Sequence, residues 1–117
     1  MAHAWNIKDL RASIMTPKGV WRTVPLSESP FYLCLAHNKS KKIFDQYYNL
    51  LTDPNRTGPK CNPNEATYEE FINLYENIRD NGIRPDFRPR IGAKGIIGDG
   101  QHRLSILHYL GVKTINS

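Results

Sequence analysis

The clearest hydrophobic pattern lies in the second half of the chain. Four apolar residues recur there at helical spacing: Phe71, Leu74, Tyr75 and Ile78. The preceding residues 67–70 read Thr-Tyr-Glu-Glu, a capping box in which the first and last side chains close each other's unpaired amides. Asn81-Gly82 is typical of a helix end. The pattern therefore predicts a helix that begins after Thr67 and ends at Asn81.

Short strands and another helix are predicted downstream. In chain order these elements are strands at 88–92 and 94–98 around a reversal at Ala93, a helix opened by Asp99-Gly100 and ended by Gly111, and a last strand at 112–115. The buried stripe of that helix is predicted to comprise Leu104, Leu107 and Leu110.

The first half of the chain is less regular. Ile7, Leu10 and Ile14 share helical spacing, so we expect a short helix over 7–15 with Asn6 as its cap. The remaining predictions are a turn at 17–19, a strand at 20–24 ended by Pro25, an apolar stretch within 26–36 that fits helix or strand, a helix after Ser40, and a loop at 52–64 rich in Pro and Gly.

The order of elements predicts a mixed α/β or α+β fold, and 117 residues fit a single domain over 1–117. No apolar run approaches the roughly 20 residues that a membrane helix needs. The N-terminus lacks the basic-then-apolar form of a secretion signal. Cys34 and Cys61 are too few for a disulfide scaffold and suggest free thiols, so we expect a cytoplasmic protein without a membrane partner.

The charge balance is basic, with 16 Lys and Arg against 11 Asp and Glu. Within 83–103, five basic residues stand against two acidic ones. Such an excess favours anionic partners, whether nucleotide, nucleic acid or acidic surface, although a charge that serves only solubility explains it equally well. Arg84, Arg88 and Arg90 flank the strand at 94–98, and one of them is a candidate for contacting a phosphate.

Residues 95–103 carry the clearest chemical signal. Apolar strand residues run into Gly98 and Gly100, and a helix begins directly after them. A helix start presents unpaired amides and the positive end of the dipole, and glycines there allow an anion to approach. His102 and Arg103 oppose the dipole in this first turn, a placement that a bound phosphate would favour. In the alternative, the glycines only permit a sharp turn, Asp99 caps the helix and Arg103 is solvated.

The segment Asp99-Gly100-Gln101-His102-Arg103 resembles the signature of the ParB/sulfiredoxin-like superfamily, and the resemblance extends over residues 66–117. In ParB proteins the equivalent turn binds the phosphates of CTP, in sulfiredoxin it binds those of ATP, and free-serine kinases use a related turn. The resemblance implies that nucleotide phosphates are bound by a set of residues in and before the first helical turn: Gly98, Gly100, Gln101, His102 and Arg103.

Departures from the family narrow the implied activity. Gln101 replaces sulfiredoxin's catalytic cysteine, so peroxiredoxin repair is not expected. The sequence up to Ser117 contains no helix-turn-helix, which argues against DNA segregation. Residues 21–30 resemble the strand and loop that open the fold. Within them, Glu28 matches the general base of the kinase branch, although a solvated loop glutamate explains it as well. Asp99 is a candidate for binding Mg²⁺, for contacting a ribose, or for capping the helix.

The leading hypothesis is a nucleotide-binding domain that transfers or hydrolyses a phosphoryl group. ATP, ADP or CTP with Mg²⁺ would be the ligand and a small hydroxylated metabolite the acceptor, with Glu28, Asp99 and His102 as catalytic candidates. The alternatives are a nucleic-acid-binding or nuclease-like module and a regulatory module that binds a nucleotide without turnover. A zinc site at His102 and His108 is not expected, because six residues do not place them on one helix face. The oligomeric state is open.

Overall fold

Four α-helices and six short strands make up the part of the chain that the computed structural model describes, residues 4–53 and 65–117. The helices are α1 (Pro30–Ala36), α2 (Lys41–Thr52), α3 (Tyr68–Asn81) and α4 (Gln101–Tyr109). The strands are β1 (Ala4–Asn6), β2 (Arg11–Met15), β3 (Trp21–Pro25), β4 (Arg90–Ile91), β5 (Ile97–Asp99) and β6 (Thr114–Asn116). The fold is α+β, as the sequence predicts.

The strands form three antiparallel pairs, β1 with β6, β2 with β3, and β4 with β5. The first pair joins the two ends of the chain, with Trp5 opposite Ile115. A parallel bridge from Arg11 to Ile96 connects β2 to the residue before β5. The β5 strand, and therefore the start of α4, is positioned by contacts from both halves of the chain.

The prediction of a helix over 7–15 is wrong. Ile7–Asp9 is a single 3-10 turn, the Asn6 side chain does not cap it, and residues 11–15 are β2. All five residues of β2 pair with β3, and the 17–19 turn closes the hairpin with Gly19 at φ 78°. Pairing along this whole strand outweighs a stripe of only three apolar residues, because tertiary contacts override weak local preferences.

The capped helices match their predictions. Both hydrogen bonds of the capping box are present at the start of α3, and Gly82 ends it at φ 78°. Ser40 caps α2 through the amide of Ile43. Within the ambiguous stretch 26–36, Ser29 caps α1 and Pro30 occupies its first position. Proline is well tolerated at the first position of a helix, because its missing amide would be unpaired there anyway. Residues 30–36 of the ambiguous stretch are therefore a helix.

The core lies around α1. Phe31 contacts three other rings, those of Phe44, Tyr47 and Phe71, with centroids 5.6 to 5.8 Å apart. In α4, Leu104 and Leu107 are buried as predicted, whereas Leu110 is only partly buried. Ser105 and Ile106 are fully buried as well, so α4 is enclosed on more sides than a single stripe implies. This burial fixes the helix to the core from Leu104 to Leu107.

Cys34 lies in this core and is fully buried. Burial, helped by the charge of Asp45, raises the pKa of its thiol from 9.0 to about 11. Cys61 and most of the predicted 52–64 loop lie outside the described residues. No helix in the described ranges is both long and apolar enough to cross a bilayer.

The buried thiol should make stability depend on alkaline pH. Above pH 9 the unfolded chain can ionise Cys34 while the folded protein keeps it protonated until about pH 11. Unfolding free energy should therefore fall by up to about 3 kcal/mol across that window. Urea titrations at pH 8 and pH 10.5 measure the change, and Cys34→Ala should show a smaller one. Equal losses in both proteins would contradict the assignment.

Candidate functional site

The first turn of α4 has unpaired backbone donors. Gly100 precedes the helix in the left-handed conformation, with φ 98°, and no side chain caps the turn. Among the described residues, no acceptor bonds to the amides of Gln101, His102 or Arg103, and the first internal bond runs from the Leu104 amide to the Gly100 carbonyl. Asp99 therefore does not cap α4; it ends β5 and is exposed. These amides and the helix dipole favour an anion.

Gly100 is needed for its left-handed conformation and for close packing, whereas Gly98 is needed only for close packing. A Cβ atom at Gly100 would lie 3.1 Å from both Phe87 Cζ and Pro89 Cβ, and one at Gly98 would lie 3.3 Å from Arg90 Nε. These side chains occupy the space beside Gly98 and Gly100, so a phosphate at this turn would contact the amides of residues 101–103 and not the glycines. Phe87 and Pro89 form an apolar wall on the Gly100 side of the turn.

Two guanidinium groups lie beside this turn. Arg103 is exposed and lies over the Phe87 ring, 5.7 Å from its centroid. Arg90 lies against Gly98. Neither forms an ion pair with any residue that the structure describes. Of the three flanking arginines, Arg90 is therefore the one available to an anion at the turn.

The other two flanking arginines are occupied. The Arg84 guanidinium donates to both carboxylate oxygens of Asp86, and Arg88 Nη1 donates to the carbonyls of Pro85 and Phe87.

His102 turns towards the core rather than towards the position of Arg103. Its ring lies 4.1 Å from the Phe31 ring and 5.9 Å from the Phe71 ring, centroid to centroid. His102 Nε2 lies 2.9 Å from Glu65 Oε1, and the Glu65 side chain is only 11% exposed. The contact lies outside hydrogen-bond geometry, since Nε2 is buried with no hydrogen-bond partner in the described ranges. The structure therefore does not place His102 and Arg103 together around one anion. Of the two, Arg103 is the exposed side chain beside the turn.

Gln101 carries a further unpaired donor. Its side-chain nitrogen Nε2 is buried, and no acceptor in the described part of the chain bonds to it. A buried amide without a partner costs about 1–3 kcal/mol, so native proteins supply one from a water or a ligand. The side-chain amide and three backbone amides belong to the same helical turn, which concentrates the donors at one place.

Glu28 lies on a loop that is tied to α4. It ends the 3-10 helix Leu26–Glu28 and is exposed. The next residue, Ser29, is fully buried, and its hydroxyl lies 3.1 Å from that of Ser105 in α4. The Glu28 loop and α4 are therefore fixed relative to each other by a buried hydrogen bond.

The sequence does not predict that Glu65, Phe31 and Arg90 lie together around the start of α4. The sequence leaves open which of Arg84, Arg88 and Arg90 is near the turn, and in the structure Arg90 is the one that pairs opposite Asp99 in the β4–β5 ladder. Glu65 and Phe31 are 37 and 71 positions from His102, so no local spacing in the sequence indicated their contacts with it.

A metal ion at this site would need oxygen atoms from a bound phosphate ligand in addition to those of the protein. Among the described residues, no group of three or more His, Cys, Asp and Glu side chains could hold a metal ion. Asp99 is exposed next to the helix start and offers one carboxylate. Mg²⁺ is often bound by one or two carboxylates together with substrate phosphates, and this residue set fits that arrangement only.

Comparison with known proteins gives no relative. No protein-family model matches the chain, and no match was found among curated proteins or solved structures. The likeness of residues 66–117 to the ParB/sulfiredoxin-like signature therefore stays a resemblance of sequence.

Proposed function

We propose that the chain binds a nucleotide by its phosphates at the start of α4. The observation that carries the proposal is a set of four amides in one turn that have no acceptor among the described residues: three backbone groups of residues 101–103 and the buried side-chain nitrogen of Gln101. Arg90 and Arg103 add positive charge beside that turn, and neither is neutralised by a described carboxylate. The signature-like sequence at 99–103 supports the same ligand class.

Phosphoryl transfer is the proposed activity, from ATP or CTP to a small hydroxylated metabolite. In this reaction the acceptor oxygen bonds to the terminal phosphorus, the bond from that phosphorus to the leaving nucleoside diphosphate breaks, and the hydroxyl proton passes to a base. Positioning and charge supply most of the catalysis, so the arginines and helix amides are the main groups required. Mg²⁺ bound between the phosphates and Asp99 would offset further charge.

The Glu28 carboxylate is the proposed base, because its loop is anchored to α4 through Ser29 and Ser105. The Glu65–His102 pair has a different role in this proposal. The His102 ring packs on the Phe31 ring with Glu65 beside it, and this packing holds the first turn of α4, whose amides bind phosphate, against the core. A reduced, buried Cys34 and a nucleotide ligand are both in keeping with a cytoplasmic protein.

A thermal-shift panel tests the binding step. ATP, ADP and CTP, each with Mg²⁺, are compared with adenosine and cytidine, which lack phosphates. A nucleotide at 100 times its Kd should add about 2.7 kcal/mol of stability, whereas the nucleosides should add almost none. Equal stabilisation by nucleosides, or none by any nucleotide, would overturn the proposal.

Binding of a short single-stranded oligonucleotide, measured at two salt concentrations, tests the alternative that the protein binds nucleic acid. Tight binding that weakens steeply with added salt, without binding of mononucleotides, would favour that alternative.

Glu28→Gln tests the base. We expect turnover with the best-binding nucleotide to fall about 100-fold or more, because general-base contributions are about 10²–10⁴-fold, while nucleotide binding stays unchanged. Glu69→Gln, at an exposed carboxylate on α3, is the matched control and should leave turnover unchanged. Full activity in Glu28→Gln would remove this residue from the mechanism without affecting the binding proposal. Binding without any turnover in the parent would instead favour a regulatory module.

A further inference from the structure

A cavity lies at the end of α4 opposite to the proposed nucleotide site, about 10 Å along the helix from its first turn. Its volume is about 340 Å³, and it is lined by Asn6, Lys8, His108, Gly111, Val112 and Lys113. None of these residues belongs to the nucleotide site proposed above. The size is near the lower end of the range for small-molecule sites, about 300–1,000 Å³.

The pairing of the chain ends builds this cavity. Asn6 lies opposite Thr114 in the β1–β6 ladder, and the Ile7 amide donates to the Lys113 carbonyl over 2.9 Å. Lys8 and Lys113 are thereby brought to one cavity from positions 105 residues apart in the sequence. No local pattern in the sequence indicates this pairing of charges.

The turn after α4 forms the cavity's other side. Gly111 has φ 88°, and its amide donates to the His108 carbonyl, while the Val112 amide donates to the Leu107 carbonyl. These bonds satisfy carbonyls at the negative end of the helix, which would otherwise repel an anion. A Cβ atom added at Gly111 would meet nothing within 4 Å, so this side of the turn is open.

The charge in the cavity is positive and uncompensated. Neither Lys8 nor Lys113 forms an ion pair within the described ranges, and no acidic side chain described by the structure lines the cavity. The helix dipole favours a cation near the C-terminus of α4, which accounts for Lys113 but not for Lys8 from the other chain end. Two like charges at one small cavity repel each other, and an anion between them would remove that repulsion.

Neutral groups complete the lining. The Asn6 side chain lines the cavity and does not cap the neighbouring 3-10 turn. The His108 ring packs on the Tyr32 ring, with centroids 5.0 Å apart, which restrains the imidazole. Burial lowers the pKa of His108 and so favours the neutral imidazole, which has one donor and one acceptor. Val112, which is 39% exposed, supplies an apolar surface.

We propose that this cavity binds a small organic anion, a carboxylate or a phosphate monoester that carries a compact apolar group. The two ammonium groups contact the anionic end, Asn6 adds a hydrogen bond, and the apolar group packs on Val112. The site is independent of the nucleotide site and would bind its ligand even in a protein that does not bind nucleotides.

Amide NMR titration tests the proposal with three probes: benzoate, phenyl phosphate and the neutral benzyl alcohol. Both anions should produce saturable shifts at the amides of Gly111, Val112 and Lys113, whereas benzyl alcohol should not. Saturation by benzoate alone would identify a carboxylate ligand, and saturation by phenyl phosphate alone a phosphate monoester. Equal binding of the alcohol, or no saturable shift with either anion, would overturn the proposal.

A pair of double variants separates local charge from net charge. Lys8→Ala with Lys113→Ala should weaken anion binding at least tenfold, and both side chains are exposed, so the fold should be kept. Lys18→Ala with Lys42→Ala removes the same charge from exposed positions elsewhere and should leave binding unchanged. Equal affinities in the two double variants would contradict the site.

Shifts confined to residues 101–103 would report the nucleotide site instead, so the failure of either proposal can be recognised separately.

Discussion

Phe31→Ala should lose about 3–5 kcal/mol of unfolding free energy, the usual cost of removing a buried aromatic ring. Phe31 contacts the rings of Phe44, Tyr47 and Phe71, and it also supports His102 at the start of α4. Domains of this size are stable by only about 5–15 kcal/mol, so the loss is a large share of the total. Urea denaturation followed by circular dichroism measures it.

Leu33→Ala is the matched control for Phe31→Ala, because it lies in the same helix but is only partly buried. It should cost clearly less, about 1–2 kcal/mol from the smaller apolar area removed from contact. If the two variants lose equal stability, the aromatic cluster around α1 does not have the central place in the core that we assign to it.

The second large effect concerns Arg90 and Arg103, the two guanidinium groups beside the start of α4 that form no ion pair with any described residue. Removing both in the double variant Arg90→Ala with Arg103→Ala should weaken nucleotide binding at least about 100-fold, because each charge-assisted hydrogen bond contributes about 1.5–3 kcal/mol. Both side chains are exposed, so we expect the unfolding free energy without ligand to change by less than about 1 kcal/mol. Isothermal titration calorimetry with the best-binding nucleotide gives the ratio of affinities.

Arg79→Ala with Arg84→Ala provides the control for the arginine pair. It removes the same net charge, but from side chains that already pair with Asp80 and Asp86. We expect its affinity for the nucleotide to stay within about threefold of the parent's. A comparable loss in both double variants would mean that overall charge, rather than contact at the α4 start, drives binding.

The elements that the sequence predicted well are those with a local capping signal. The box at 67–70, Ser40 before α2 and Gly82 after α3 each specify a helix end within a few residues, and the structure places helix ends there. The helix over 7–15 failed because its alternative, the β2–β3 hairpin, is stabilised by pairing with residues 21–25. The spacing of three apolar residues does not reveal that the segment pairs with another strand.

The candidate site could be predicted only in its backbone part. The strand, glycine and helix sequence at 95–103 correctly indicated a helix start with unpaired amides. The environment of His102 could not be predicted, because it is set by Glu65 and Phe31, which the fold brings from other elements. The packing of Phe87 and Pro89 on Gly100 has the same origin, since glycine spacing does not reveal which side chain fills the space.

The most direct test of the central claim is an amide NMR titration of the uniformly ¹⁵N-labelled protein with the nucleotide that stabilises it most. If phosphate binds at the start of α4, the backbone amides of Gln101, His102 and Arg103 and the side-chain amide of Gln101 should show the largest saturable shifts. They should follow one binding curve, and the nucleoside should not reproduce them. Saturable binding that leaves these four groups unshifted would contradict the claim.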